Sequence, residues 1–239
     1  MEKSTVAGWL AIGVLGVSSA ASAATYNAGA DFQTLSNPGG PWSYGYSPGT
    51  GSYSMRIFDS PFDTSLANTT ISAWSMSDYV SLGAPVIWKN TSANFFYLNV
   101  PPGQLAMHPG PIPRGDLAVL RFTAPSAGQY DYVGRFGAGG FGDTSARLVF
   151  NGDLFHPEVS FDTTASSPSF EGFVKMKMGQ TLDFVVGNKG DYSGDTTSLW
   201  VSISSPAMAA PVPEPETYAM MLAGLGLLGF AARRRLTSN

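Results

Sequence analysis

The chain has 239 residues and is 44% hydrophobic but only 13% charged, with 13 Lys and Arg against 17 Asp and Glu and no cysteine. Charge at about half the usual fraction, replaced by Gly, Ser, Thr, Asn and Pro, predicts strands and turns, because a helical domain would show Ala, Leu, Glu and Lys at helical spacing. The mildly acidic balance excludes the clustered cations of a nucleic-acid binder. The missing cysteines exclude a lipoprotein attachment site, a thiol nucleophile and a Cys-based zinc site.

At the N-terminus Lys3 precedes an apolar stretch from Val6 to Val17, then small residues ending Ala21-Ser22-Ala23 before Ala24. A positive start, a short apolar run and an A-x-A site in that order predict a signal peptide over residues 1–23. The other reading is a membrane anchor, for which the run is short of roughly 20 residues. A secreted domain of this size does not require disulfides.

Residues 24–205 predict one body of short strands separated by turns. Leu117 to Phe122 forms a strand, followed by Gln129 to Phe136 with Tyr130, Tyr132 and Phe136 on one face. In Ala146 to Phe155, the Asn151-Gly152 pair supplies the positive φ angles of a tight hairpin. Val174, Met176 and Met178 alternate with Lys175 and Lys177, and Gly179-Gln180 turns the chain into Thr181 to Val186, where Leu182, Phe184 and Val186 share a face. In Ser198 to Ser204, Leu199, Val201 and Ile203 point inward and Trp200 outward. Many short strands bounded by Pro and Gly indicate a sandwich or barrel.

Three strand-and-turn stretches, Ala118 to Pro125, Ala127 to Tyr130 and Leu182 to Gly187, resemble jelly-roll β-sandwiches of the carbohydrate-binding-module or galactose-binding-like type. The resemblance implies an all-β, antiparallel jelly-roll β-sandwich. Such a body binds sugar through exposed aromatic faces. Trp42, Tyr44 and Tyr46, in a Pro- and Gly-rich stretch, are the best candidates for an exposed platform, followed by Trp74 and Trp88; packing in the core or sheet is the commoner fate of any one of them. The loop from Gly187 to Thr197 offers several oxygen donors, so Asp191 and Asp195 are candidate ligands for a structural calcium, although Lys189 sits among them.

His108 and His156 each precede a proline and show no metal-ligand spacing. Paired-carboxylate catalysis would have Glu158 and Glu171 as its body glutamates, and no nucleophile elbow or phosphate loop occurs, so no catalytic residue and no cofactor is expected.

Residues 206–212 predict a linker, and 213–239 a sorting segment whose apolar helix, 218–232, ends at Arg233-Arg234-Arg235. Three arginines favour the cytoplasmic side, leaving the body outside. The run of about 15 apolar residues is short for a single transmembrane helix, a deficit that bilayer thinning and arginine snorkelling offset. The order Val212-Pro213-Glu214-Pro215-Glu216-Thr217, apolar helix, arginine cluster resembles the PEP-CTERM sorting signal; the alternative is a plain anchor. The resemblance implies recognition by an exosortase through Pro213, Glu214 and Pro215, transient residence in the inner membrane, cleavage, and transfer to the cell surface or extracellular matrix. The expectation is an exported, non-enzymatic protein associated with exopolysaccharide. A polysaccharide hydrolase or lyase and a purely structural matrix component are the alternatives.

Overall fold

A computed structural model describes residues 23–66, 69–77, 85–94, 99–111, 113–137, 139–162, 167–205 and 215–236. The expected signal peptide (but for Ala23), the linker and Pro213-Glu214 of the sorting segment lie outside these residues. The chain divides into a body, Ala23–Pro206, and its end segments.

Strands in the first half of the body are β1 (Ala24–Asn27), β2 (Trp42–Ser47), β3 (Arg56–Ile57), β4 (Ser60–Leu66), β5 (Thr69–Ser75), β6 (Val86–Asn90) and β7 (Leu105–His108). The second half contributes β8 (Leu117–Thr123), β9 (Gly128–Gly137), β10 (Asp143–Phe150), β11 (Asp153–Leu154), β12 (Val159–Asp162), β13 (Ser169–Met176), β14 (Thr181–Gly187) and β15 (Thr197–Ser205). One sheet runs β13-β9-β15-β7-β6-β5-β4 with β1 also on β15, and the other runs β11-β10-β14-β8-β2-β3 with β12 also on β10. Neighbours pair antiparallel throughout, as between β14 and β8 and between β13 and β9.

The period of two in the sequence explains why the sheets close on each other. Leu182, Phe184 and Val186 on β14, Leu120 and Phe122 on β8, and Trp42 and Tyr44 on β2 pack in one cluster with residues of the opposite sheet, among them Tyr130, Leu199 and Ile203. Phe122 meets Trp42 and Tyr130 edge-on at 5.3 and 5.4 Å between ring centroids. Asn151 and Gly152 have φ of 51° and 93°, making the expected hairpin between β10 and β11. Val174 and Met176 are buried as the alternation requires. Met178 is exposed, a departure from that alternation that arises because β13 ends at Met176 and the chain has entered the Gly179 turn.

Each sheet also has a covered patch on its outside. Val119, Val149 and Val185 pack beneath Tyr53 and Met55, and Ala73, Trp88 and Ala106 pack with Val100 on the other sheet. The outward residues of β14 are buried for this reason, not merely its inward ones.

In the sorting segment, Pro215–Leu236 is a helix, α1, of 22 residues. Pro at its first position is pre-set for helical φ and lacks an N–H that would have no intrahelical partner there. No helix of the described residues is long and apolar enough to cross a membrane.

Candidate functional site

Of the two readings of residues 42–46, exposed platform or core packing, the structure has core packing. Trp42 and Tyr44 are wholly buried and Tyr46 nearly so, because β2 pairs with β8 as an interior strand and turns these rings into the core. Trp42 Nε1 donates to Asp31 Oδ2 at 3.1 Å, and the Tyr46 ring stacks on Phe58 at 5.9 Å. Tyr44 stacks on Trp74 of the facing sheet at 6.5 Å. Trp74 donates its Nε1 hydrogen to the Gln33 carbonyl at 2.8 Å, and Trp88 is buried in the outer patch of β5–β7. The five aromatics hold the sandwich together and offer no ring face to a ligand.

Other aromatics are exposed. Phe141, Phe173 and Trp200 have 68%, 61% and 40% of their surface accessible. Trp200 is where its alternation with Leu199 and Val201 puts it. Phe173 carried the same signal: extending the alternation of Val174 and Met176 back by one residue turns it outward.

The calcium candidates fall at an acidic recess. Between β14 and β15 the chain turns twice, with Asn188 Oδ1 accepting from Gly190 N at 3.0 Å and Asp191 Oδ1 accepting from Ser193 N at 3.0 Å. Asp191 is exposed at the rim. Asp195 is completely buried, and neither carboxylate oxygen has a hydrogen-bond partner among the described residues. Its cover is the glycine run 139–142: Phe141 and Gly142 N–H groups both donate to the Gly194 carbonyl, at 2.9 and 3.0 Å. A Cβ at Gly142 would collide with Asp195 Oδ1, and one at Gly140 with the Gly194 carbonyl oxygen. This close approach requires glycine.

Asp191, Asp195, Asp143 and Asp162 line a cavity of about 440 Å³, together with Lys189. Asp143 and Asp162 sit directly opposite each other where β10 pairs with β12, an arrangement that like charges disfavour. Burial, then the charges of Asp191 and Asp143, push the Asp195 carboxyl up to about 7. A buried carboxylate without a partner must take up a proton or a cation. Among the described residues no three acidic or histidine side chains are arranged to hold one ion between them. A hard cation at this recess would meet Asp195 and Asp191 as side-chain oxygen donors and would need backbone carbonyls or water to complete its shell.

The histidines are engaged elsewhere. His108 Nδ1 contacts the Pro109 carbonyl at 2.8 Å, and burial holds its pKa below the usual value. His156 Nε2 shares a hydrogen bond of 2.6 Å with the Tyr132 hydroxyl. Glu158 pairs with Arg147 at 2.6 Å beside one sheet, and Glu171 lies on β13 of the other. They line separate cavities and do not form the facing pair of a glycosidase.

Of the sorting residues, Pro215 opens α1 and Arg233, Arg234 and Arg235 lie in its last turns. The Arg234 guanidinium rests 5.7 Å from the Phe230 ring centroid. Cations at a helix C-terminus oppose its negative dipole end.

Residues 211–235 match the PEP-CTERM protein-sorting motif, which implies an exported protein that is membrane-anchored before exosortase cleavage. No curated protein matches the chain. Among solved structures, a family 35 carbohydrate binding module from Clostridium thermocellum is 15% identical, covering 61% of this chain and 98% of its own, with a TM-score of 0.32. A family 35 module from Cellvibrio japonicus is 20% identical over 40% of this chain and 72% of its own, with a TM-score of 0.26. Pika GITRL is 15% identical over 52% of this chain and 89% of its own, with a TM-score of 0.25.

Proposed function

We propose that the chain is an exported protein with a jelly-roll body that binds carbohydrate at the cell surface or in the extracellular polysaccharide matrix and catalyses no reaction. The observation that carries export is the sorting motif at 211–235. The apolar part of its helix, residues 218–232, is about 22 Å long at 1.5 Å per residue, short of the roughly 30 Å hydrocarbon core of a bilayer, a deficit that bilayer thinning and arginine snorkelling offset. Held there by its arginines on the cytoplasmic side, it anchors the body outside until an exosortase cuts near Glu214-Pro215. The signal peptide at 1–23 begins this route.

Carbohydrate as the ligand class is supported by a body low in charge and rich in neutral hydroxyls, with aromatic rings exposed on it. At the acidic recess, Asp195 supplies a buried carboxylate and Asp191 a rim carboxylate to a calcium ion that fixes the loop between β14 and β15.

Replacing Glu214-Pro215 by Ala-Ala should leave an uncleaved, membrane-bound form, detected by fractionation and immunoblotting. Unchanged release to the medium would sink the exosortase part. Pull-down with the producing cell's own exopolysaccharide tests the ligand class, and no retention there or on a glycan array would end the carbohydrate reading.

A further inference from the structure

The outer face of the β13-β9-β15 part of its sheet carries exposed side chains on all three strands. Strand register places its outward side chains in rows. Ser169, Arg135 and Trp200 stand across from one another in the first row. Glu171, Val133 and Ser202 form the second, and Phe173, Asp131 and Ser204 the third. The apolar members fall on a diagonal, from Phe173 on β13 through Val133 on β9 to Trp200 on β15. Their accessible fractions are 61%, 41% and 40%. With strands about 4.8 Å apart and rows about 6.8 Å apart, the diagonal spans roughly 16 Å between its end Cα atoms.

Beside this stripe lies a depression of about 440 Å³ lined by Asp131, Glu171, Ser202 and Ser204. Asp131 already accepts a hydrogen bond from Gln129 Nε2 at 2.8 Å, which holds its carboxylate in place. The two acids are balanced by Arg135 in the first row and Lys175, opposite Gln129 on β13. The face is therefore close to neutral, which gives no attraction for a nucleic acid or an anionic membrane.

Its chemistry matches a pyranose chain. Sugar rings offer an apolar C–H face to aromatic and aliphatic side chains, and a rim of hydroxyls that donate to carboxylates and exchange hydrogen bonds with serine. The diagonal has about the length of a trisaccharide. We infer that the β13-β9-β15 face is a binding platform for a neutral linear glycan, with Trp200 and Phe173 as its stacking anchors and Asp131 and Glu171 as acceptors for ring hydroxyls. The inference rests on the carbohydrate reading above and places its site on the sheet face, apart from the acidic recess.

The test is calorimetric titration of the full chain, in a detergent without sugar headgroups, with cello-, manno- and xylohexaose and with an oligogalacturonate as an anionic probe. At least one neutral hexasaccharide should bind. Trp200→Ala and Phe173→Ala should each weaken it at least tenfold, while Trp200→Phe and Phe173→Tyr retain most of it. Since both residues are exposed, thermal melting of all four variants should stay close to that of the parent. Glycan binding that survives both alanine substitutions would overturn the platform and leave the carbohydrate reading standing. No binding to any glycan, including native exopolysaccharide, would end both. Binding of the anionic probe alone would overturn the neutral assignment. A dimer in sedimentation that either alanine substitution dissolves would show that a second copy occupies the face, and would overturn it too.

Discussion

Asp183 and Asp195 are both completely buried carboxylates, and the molecule treats them in opposite ways. Asp183 lies on β14 opposite Arg121 of β8, so strand register itself delivers its partner. Arg121 Nε and Nη2 donate to its two oxygens at 2.7 and 2.8 Å, and the Tyr53 hydroxyl donates at 2.6 Å. The hydrogen bond to Asp183 raises the Arg121 pKa, and burial followed by the Asp183 charge raises that of Tyr53. Asp195 sits instead in a loop that brings it acids, with Asp191 and Asp143 near it and no donor on either oxygen among the described residues. One site neutralises its charge internally and is structural. The other is buried among acids without a donor among the described residues, so its charge is met by a proton or, under the calcium proposal, by a cation.

The largest expected effect is at Asp183. Asp183→Asn leaves the Arg121 guanidinium half-enclosed against a neutral amide, and breaking a buried pair from one side costs about 3 kcal/mol or more. Urea unfolding should show that loss relative to the parent from pH 5 to 8, equally with and without calcium. Converting both residues, in Arg121→Met with Asp183→Leu, should recover most of it, because the stranded charge is then gone. A single substitution as mild as the double one would mean that the pair is not what keeps the outer patch closed.

Asp195 should behave in the reverse sense. Its folded pKa of about 7 lies above the 3.8 of a free aspartate, so the neutral carboxyl's contribution to stability is complete below about pH 4. It is lost as pH rises through about 7. Without divalent cations, melting temperature should therefore fall between pH 5 and 8. Calcium should restore it at pH 8 and do little at pH 5, where protons hold the site. Asp195→Asn should raise the melting temperature at pH 8 by a few degrees, at about 2–4 °C per kcal/mol for a body of this size, and abolish the calcium response. If calcium changes nothing and the asparagine variant melts lower, Asp195 has a partner after all and the contrast with Asp183 disappears.

The two aspartates also mark where sequence stops being informative. The inward alternation of Leu182, Phe184 and Val186, the Asn151-Gly152 hairpin and the outward Trp200 are local patterns, readable because a strand repeats every two residues. The burial of Asp183 is not local, since its cover comes from Tyr53, 130 positions away. Asp195 was recognisable as an oxygen donor in a turn-rich loop, but its seclusion depends on Gly140 and Gly142 letting a distant backbone approach. Trp42 to Tyr46 misled for the same reason. A strand written Trp-Ser-Tyr-Gly-Tyr-Ser beside prolines and glycines has the composition of an exposed loop, and only pairing with β8 puts it inside. Strands β1, β2, β4 and β5, rich in Ser, Thr and Tyr, lack the aliphatic alternation that revealed the second half.

The smallest effect separates geometry from charge at the recess. Lys189 has a φ of 45°, a left-handed backbone that costs a side-chain-bearing residue about 1 kcal/mol. Lys189→Gly relieves that strain but loosens the unfolded chain by a comparable amount. Cation-free stability should thus move by about 0.5 kcal/mol or less. Calcium affinity should change more, because the substitution removes an ammonium from a wall of the same cavity as Asp191 and Asp195. Between a unit and a double charge several ångströms apart near water, the repulsion is of order 1 kcal/mol, a roughly fivefold gain in affinity on its removal. Lys189→Asn tolerates the left-handed backbone and also lacks the charge, so it should share the tighter calcium midpoint without the added chain entropy. Equal calcium midpoints in the parent and both variants would place the ion away from residue 189, and with it away from the carboxylate that burial has left unpaired.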